Sequence, residues 1–255
     1  MPKIYVGTMW AGEGGFDHCV EAIAKQKNVS ITHQIVAYKP EREAHSILYS
    51  TWESVKHKYD AFVQVDADTE LIDYKVIGLM YELLQEQSKN GKTSLQSPLY
   101  DYLTCRNIAG LNMYLPTVRF KEPSELFCDR CTENNVTYLG APARYSCVGR
   151  HAEHSTGIQS YRFGVHRGLK RGFGDDFNAI VKAIKDAHSA KISCYGENEG
   201  LWPDFEFQPQ ELALCGFFHA ERFKGKKFDY DSDELHNEFN AIRESDIREY
   251  VRKVL

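Results

Sequence analysis

Apolar positions recur along this chain with two different periods, and the switches between them lay out an α/β fold. Ile4-Tyr5-Val6-Gly7-Thr8 is a short apolar run that reads as a strand. A glycine-rich loop follows, Met9 to Gly15, and then Phe16 to Gln26, whose apolar residues (Phe16, Cys19, Val20, Ile23, Ala24) have the spacing of a helix with one buried face. Ile31 to Tyr38 predicts a second strand and Glu41 to Tyr59 a second helix. Phe62-Val63-Gln64-Val65 predicts a third strand, which ends abruptly at Asp66-Ala67-Asp68. Strand, helix, strand, helix, strand is the order of a parallel sheet wrapped by helices.

Beyond Asp68 the pattern continues with a helix over Ile72 to Gln87, closed by Asn90-Gly91. Strand-like runs then surround Leu99, Ile108 and Met113-Tyr114-Leu115, with Pro98 and Pro116 as breaks. Pro123-Ser124-Glu125 opens a helix running to about Thr132, and Val136 to Val148 is extended in character. Ser160 to Lys170 and Phe177 to His188 have helical spacing, and Glu234 to Leu255 reads as one charged amphipathic helix. No repeat or linker intervenes, so the expected organisation is one domain over residues 1–230 with a helical appendage over 231–255, packed on the domain or on a partner.

Composition narrows the class. With 255 residues, 42% hydrophobic and 13% aromatic, the chain can bury a substantial core. Its net charge of −5 comes from 31 basic and 36 acidic residues interspersed throughout, so no nucleic-acid face is advertised. No run approaches the roughly 18 apolar residues of a membrane span, and the N-terminus lacks the pattern of a secretory leader. Seven scattered cysteines favour reduced thiols and a cytoplasmic location. Cys128-Asp129-Arg130-Cys131 has no second Cys-x-x-Cys to complete a zinc site.

The candidate chemistry begins at Asp66 and Asp68. Both lie beyond the carboxyl end of a strand, where open α/β sheets bind ligands, and alternate side chains point the same way. Paired carboxylates suit Mg²⁺ or Mn²⁺, ions commonly shared with a substrate's phosphates. The Gly12 to Gly15 loop carries neither a phosphate-loop nor a dinucleotide motif. Over the ends of the first two strands, Thr8, Met9, Trp10, Glu13, Tyr38 and Lys39 are candidates for nucleotide binding, with Trp10 and Tyr38 offering flat faces to a base.

This order of elements, with Asp-x-Asp ending the third strand about 60 residues in, resembles the nucleotide-sugar glycosyltransferases of the GT-A fold. A second patch adds to the resemblance: His151-Ala-Glu-His154, followed by Arg162-Phe163-Gly164-Val165-His166-Arg167 in a helix, is similar to a segment of family-2-like members. The resemblance covers residues 3 to 170 and implies a Rossmann-like, mostly parallel central sheet flanked by helices. It implies a Mn²⁺ or Mg²⁺ ion held by Asp66, Asp68 and a late histidine, His151, with His154 close behind. It also implies transfer of a sugar from a nucleoside-diphosphate donor, UDP-linked by expectation, to a hydroxyl of a glycan or glycoside. Aromatic residues such as Tyr100, Tyr102, Tyr114 and Trp202 are candidates to stack on sugar rings. An inverting enzyme needs a general base, usually a carboxylate, and the family's common pattern, in which it opens or sits on a helix between the metal carboxylates and the late histidine, implies Glu125, Asp129 or Glu133; Asp129 is the choice. A nucleotidyltransferase-like enzyme and a non-catalytic binding module on the same fold are the alternatives.

Overall fold

The computed structural model describes residues 1–124, 131–190, 208–226 and 232–255. The chain divides into two compact units: residues 1–101 with 107–153, and residues 102–106 with 154–255. The sequence had placed the division at residue 230.

The first unit is an eight-stranded mixed sheet with helices. Its strands are β1 (Lys3–Trp10), β2 (Ser30–Ala37), β3 (Ala61–Gln64), β4 (Thr69–Leu71), β5 (Ser94–Asp101), β6 (Arg106–Tyr114), β7 (Thr137–Leu139) and β8 (Gly149–His151). They lie in the order β2-β1-β3-β6-β5-β8-β4, with β7 on β5 off this path. The helices are α1 (Phe16–Ala24), α2 (Glu41–Val55) and α3 (Val76–Ser88). Side chains alternate across the sheet as its pleat requires. Ile4, Val6, Ala61 and Val63 meet Cys19 and Ile23 of α1 and Ile77 and Met80 of α3 on one face. Tyr5, Phe62 and Tyr114 meet Leu48, Tyr49 and Trp52 of α2 on the other. Burial on both faces is why β3 reads as a continuous apolar run.

The sheet is mixed, where the sequence reading expected it to be mostly parallel. β1 pairs with β2 and β3 in parallel, but β6 runs antiparallel to β3, and β4 antiparallel to β8. The cause is connection length. β5 and β6 are joined through residues 102–105, too short a link for a parallel crossover. Pro98, expected as a break, sits inside β5. It lies where that strand's partner changes: β7 pairs with Ser94–Gln96 and β8 with Leu99–Asp101, so the missing N–H falls between two ladders. The expected helix at 125–132 falls largely on residues 125–130, which lie outside those described; Thr132 bridges Phe120.

The second unit contains α4 (Gly157–Arg171), α5 (Asp175–Ala190), α6 (Pro209–His219), α7 (Asp233–Asn240) and α8 (Glu244–Val254). Thr156 and Gln159 form a capping box that starts α4. Helix α6 is buried on all sides, as an all-round apolar helix must be. The tail expected as one helix is two, because Arg243 and Asp246 close a new cap at the start of α8. Leu235, Ile247 and Val251 join Tyr161, Leu212 and Phe217 in one core, so the tail packs within its own unit.

Helices α4 and α6 cross with their backbones in contact. A Cβ at Gly164 would collide with the Ala213 carbonyl, and one at Gly216 with the Tyr161 carbonyl oxygen. Nearby, His219 is buried between two hydroxyls, Tyr161 at 3.0 Å from Nδ1 and Tyr250 at 3.1 Å from Nε2. Burial first, and the Arg222 charge next, hold its pKa down to about 4.

Two outcomes follow for stability. Gly216→Ala must force α4 and α6 apart, and we expect a loss of about 3 kcal/mol in urea unfolding. The depressed pKa of His219 means that below about pH 6.5 the unfolded chain takes up a proton that the folded chain refuses. Its contribution is therefore complete above pH 6.5 and is lost as the pH falls towards 4, a decline on the order of 3 kcal/mol. Denaturation measured across this range in wild type and His219→Gln should show the shallower decline in the variant.

Candidate functional site

The Asp-x-Asp triplet links β3 to β4, and the first residue of β4 fixes what it meets. Thr69 stands opposite His151 in the antiparallel β4–β8 ladder. The Ala152 N–H donates to the Asp68 carbonyl at 3.0 Å, and Ala152 adopts a left-handed φ of 61° that turns the chain just past the histidine. Asp68 and His151 are thereby side by side, with His151 Nε2 3.4 Å from Asp68 Oδ1. On its other side, His151 Nδ1 lies 2.8 Å from Oδ1 of Asp101, the last residue of β5, which is fully buried. Asp66 acts on the same imidazole through its charge.

Protonation follows from donor and acceptor chemistry. An ionised carboxylate only accepts, so Nδ1 carries the proton shared with Asp101. A neutral imidazole then turns a bare Nε2 lone pair towards an Asp68 oxygen, two electron-rich atoms facing each other. A proton or a metal ion between them removes the conflict. Burial disfavours a charged His151, but Asp68, the hydrogen bond and charge of Asp101, and Asp66 outweigh it and push the pKa up to about 10. Burial, and then the charge of Asp68, raise that of Asp66. Three carboxylates around one imidazole leave the cluster negative even when the ring is protonated. Asp68 and Asp101 flank the two ring nitrogens and Asp66 reaches the ring through charge alone, so the residue types present, carboxylate oxygens beside an imidazole nitrogen, are ones a divalent cation takes. Bound there, the ion would replace the Nε2 proton.

The first-loop candidates divide into two groups. Trp10 stacks on Phe16, with ring centroids 4.3 Å apart and planes 7° from parallel, and meets Tyr38 at 4.7 Å. Tyr38 is 63% exposed and has a left-handed φ of 51°, so its ring stands clear of the sheet. Thr8, by contrast, is fully buried with its hydroxyl 3.0 Å from His33 Nε2. Glu13 folds back to accept from the Ala11 N–H at 2.6 Å, and its carbonyl accepts from Trp10 Nε1. Met9 packs partly against the α2 face, and Lys39 pairs with Glu43 at 2.8 Å on the surface.

Other expectations fall elsewhere. Asp129, Glu125, Cys128 and Trp202 lie outside the described residues, whereas Glu133 is exposed. Tyr114 belongs to the core. His154 belongs to the second unit, as do His166 and Arg167 on α4. Arg167 lies 3.7 Å from Asp176, which also pairs with Arg106 at 2.5 Å. Asp101 is the site residue that sequence reading missed. Its signal was of the same kind as that of Asp66, an acid at the end of a strand, but its partner is 50 residues away. Cys19, Cys105, Cys131, Cys147 and Cys215 are free thiols, and no helix among the described residues is long and apolar enough to cross a membrane.

No protein-family model matches the chain, and no curated protein does. Among solved structures it is similar to the crystal structure of A197 from STIV, at 10% sequence identity and a TM-score of 0.33 over 45% of this chain. The match spans 65% of that chain's length. A likeness of this size carries no argument about fold or activity.

Proposed function

We propose that the protein is a divalent-metal-dependent glycosyltransferase of the GT-A type, moving a sugar from a nucleoside-diphosphate donor to a hydroxyl of a glycan or glycoside. The observation that supports this reading is Asp68 beside the His151 imidazole, with Asp101 behind the ring and Asp66 acting on it through charge. Mn²⁺ or Mg²⁺ held there supplies positive charge to the diphosphate as it leaves.

The chain's own residues divide the remaining work. Asp66 and Asp68 contribute hard oxygen donors, and His151 contributes Nε2 once Asp101 holds the proton on Nδ1. Tyr38 and Trp10 offer ring faces to the nucleoside base at the adjoining strand ends. Asp129 is the proposed base that accepts the proton of the acceptor hydroxyl. The ring-stacking role falls to Tyr100 and Tyr102, which are half-buried, rather than to Tyr114 in the core.

Two measurements test this reading. Purified protein, Mn²⁺ and a panel of nucleotide sugars should release nucleoside diphosphate, and chelation should lower turnover more than donor binding. Asp68→Ala should reduce that turnover about a hundredfold or more while the fold persists. No release and no donor binding across the panel would overturn the proposal. In Asp101→Asn the new amide presents an N–H to Nδ1 and drives the ring proton to Nε2, removing the lone pair. We expect Mn²⁺ affinity in that variant to fall between about 10- and 100-fold by calorimetry; unchanged affinity would show that Asp101 does not set the tautomer.

A further inference from the structure

Strand β2 ends the sheet with an open edge. The Ser30 N–H donates to the Pro2 carbonyl and the Tyr38 N–H to the Trp10 carbonyl, both at 2.8 Å, so the even-numbered residues of β2 turn their backbone groups towards β1. The N–H and C=O of one strand residue lie on the same side, and successive residues alternate. Ile31, His33, Ile35 and Ala37 therefore turn theirs outwards, and among the described residues nothing bonds to them. Such edges are usually blunted by shortness, by charge or by proline. At the other end of the sheet β4 is only three residues long, whereas β2 has eight, Ser-Ile-Thr-His-Gln-Ile-Val-Ala, with no acid, lysine, arginine, glycine or proline among them. Ile35 is 42% exposed on this edge.

We propose that β2 is a dimerisation edge, pairing antiparallel with β2 of a second copy about a two-fold axis at Gln34. In that register Ile31 stands opposite the partner's Ala37, and His33 opposite the partner's Ile35, so every outward N–H and C=O meets its complement. An axis at His33 or at Ile35 would leave Ala37 or Ile31 opposite residues beyond the strand. Charge favours a second copy as the occupant, because self-pairing sets a strand's own charges against each other and β2 has no acid, lysine or arginine to oppose. The lysines that flank it are engaged: Lys27 lies over the Tyr74 ring and Lys39 pairs with Glu43 at 2.8 Å. Each face also continues across the axis. Val36, which packs with the α2 cluster, meets the partner's Thr32, and Ile31, which packs with the α1 cluster, meets the partner's Ala37. The pairing consumes the edge of both copies, so assembly closes at two.

The test is the mass of the full chain in sedimentation equilibrium over a dilution series, without metal or donor. The wild type should pass from one to two chain masses as concentration rises. Ile35→Pro removes an N–H that bonds nothing within the monomer and sets a ring in the partner's path, and it should weaken association about tenfold or more while circular dichroism shows the fold intact. Should that variant not fold, Ile35→Lys places a charge on the exposed edge and should weaken association likewise. Register is read by oxidative cross-linking against a wild-type control. The two copies of residue 34 form a non-hydrogen-bonded pair with Cα atoms about 4.5 Å apart, within disulfide reach, so Gln34→Cys should cross-link. Thr32→Cys, whose two copies lie about 13 Å apart along the strands, should not. A wild type that stays monomeric throughout, its edge left for a foreign strand, would overturn the proposal. So would a dimer indifferent to both Ile35 variants, assembly beyond two chains, or cross-linking of Thr32→Cys as fast as that of Gln34→Cys.

Discussion

The candidate site depends on two three-residue strands lying antiparallel. β4 and β8 pair over just the ladder from Thr69–His151 to Leu71–Gly149, with one backbone bond beyond each end, and this register is what places the Asp68 carboxylate against the His151 imidazole. A shift by one residue would send His151 to the opposite face. The register is pinned at the far end by close packing, since a side chain at Gly149 would strike Leu99 and the Glu70 carbonyl. At the near end, the Ala152 N–H clasps the Asp68 carbonyl.

The mixed sheet makes the convergence possible. β3 delivers Asp66, and β6 reverses direction beside it, so β5 runs the same way as β3 and ends in Asp101. β8 is parallel to β5 and ends in His151. Three strand ends of one polarity meet along one edge, and each contributes a polar residue there. That edge is polar at a cost, paid in buried carboxylates whose mutual repulsion a bound cation would relieve.

Much of this was legible in the chain. The run from β1 to β3 has continuous periodicity, and Asp66 and Asp68 stand at a strand end that the apolar pattern marks by itself. His151 was legible through the helix that follows it. What escaped was set by non-local or very local physics. β4 and β8 are too short for any period, and strand direction leaves no trace in side-chain alternation, so the reversal at β6 was invisible. Asp101 gains its place beside the ring only through the partner that strand pairing brings to it. The break in the tail fell at Ile242, an apolar residue that continues the helical pattern across a turn set by Arg243 and Asp246.

The crossing of α4 and α6 has a wider consequence for how the helical unit tolerates change. Where most helix pairs are kept apart by interlocking side chains that can re-pack, this pair rests main chain on main chain at Gly164 and Gly216. Its spacing therefore does not depend on the identity of the surrounding core residues. Phe217, Val165 and their neighbours can be exchanged for other apolar side chains of similar volume without moving the axes, because the gauge that sets the distance is the peptide backbone itself. The unit is thus permissive around the crossing and intolerant at it, concentrating its geometric memory in two residues that have no side chains at all.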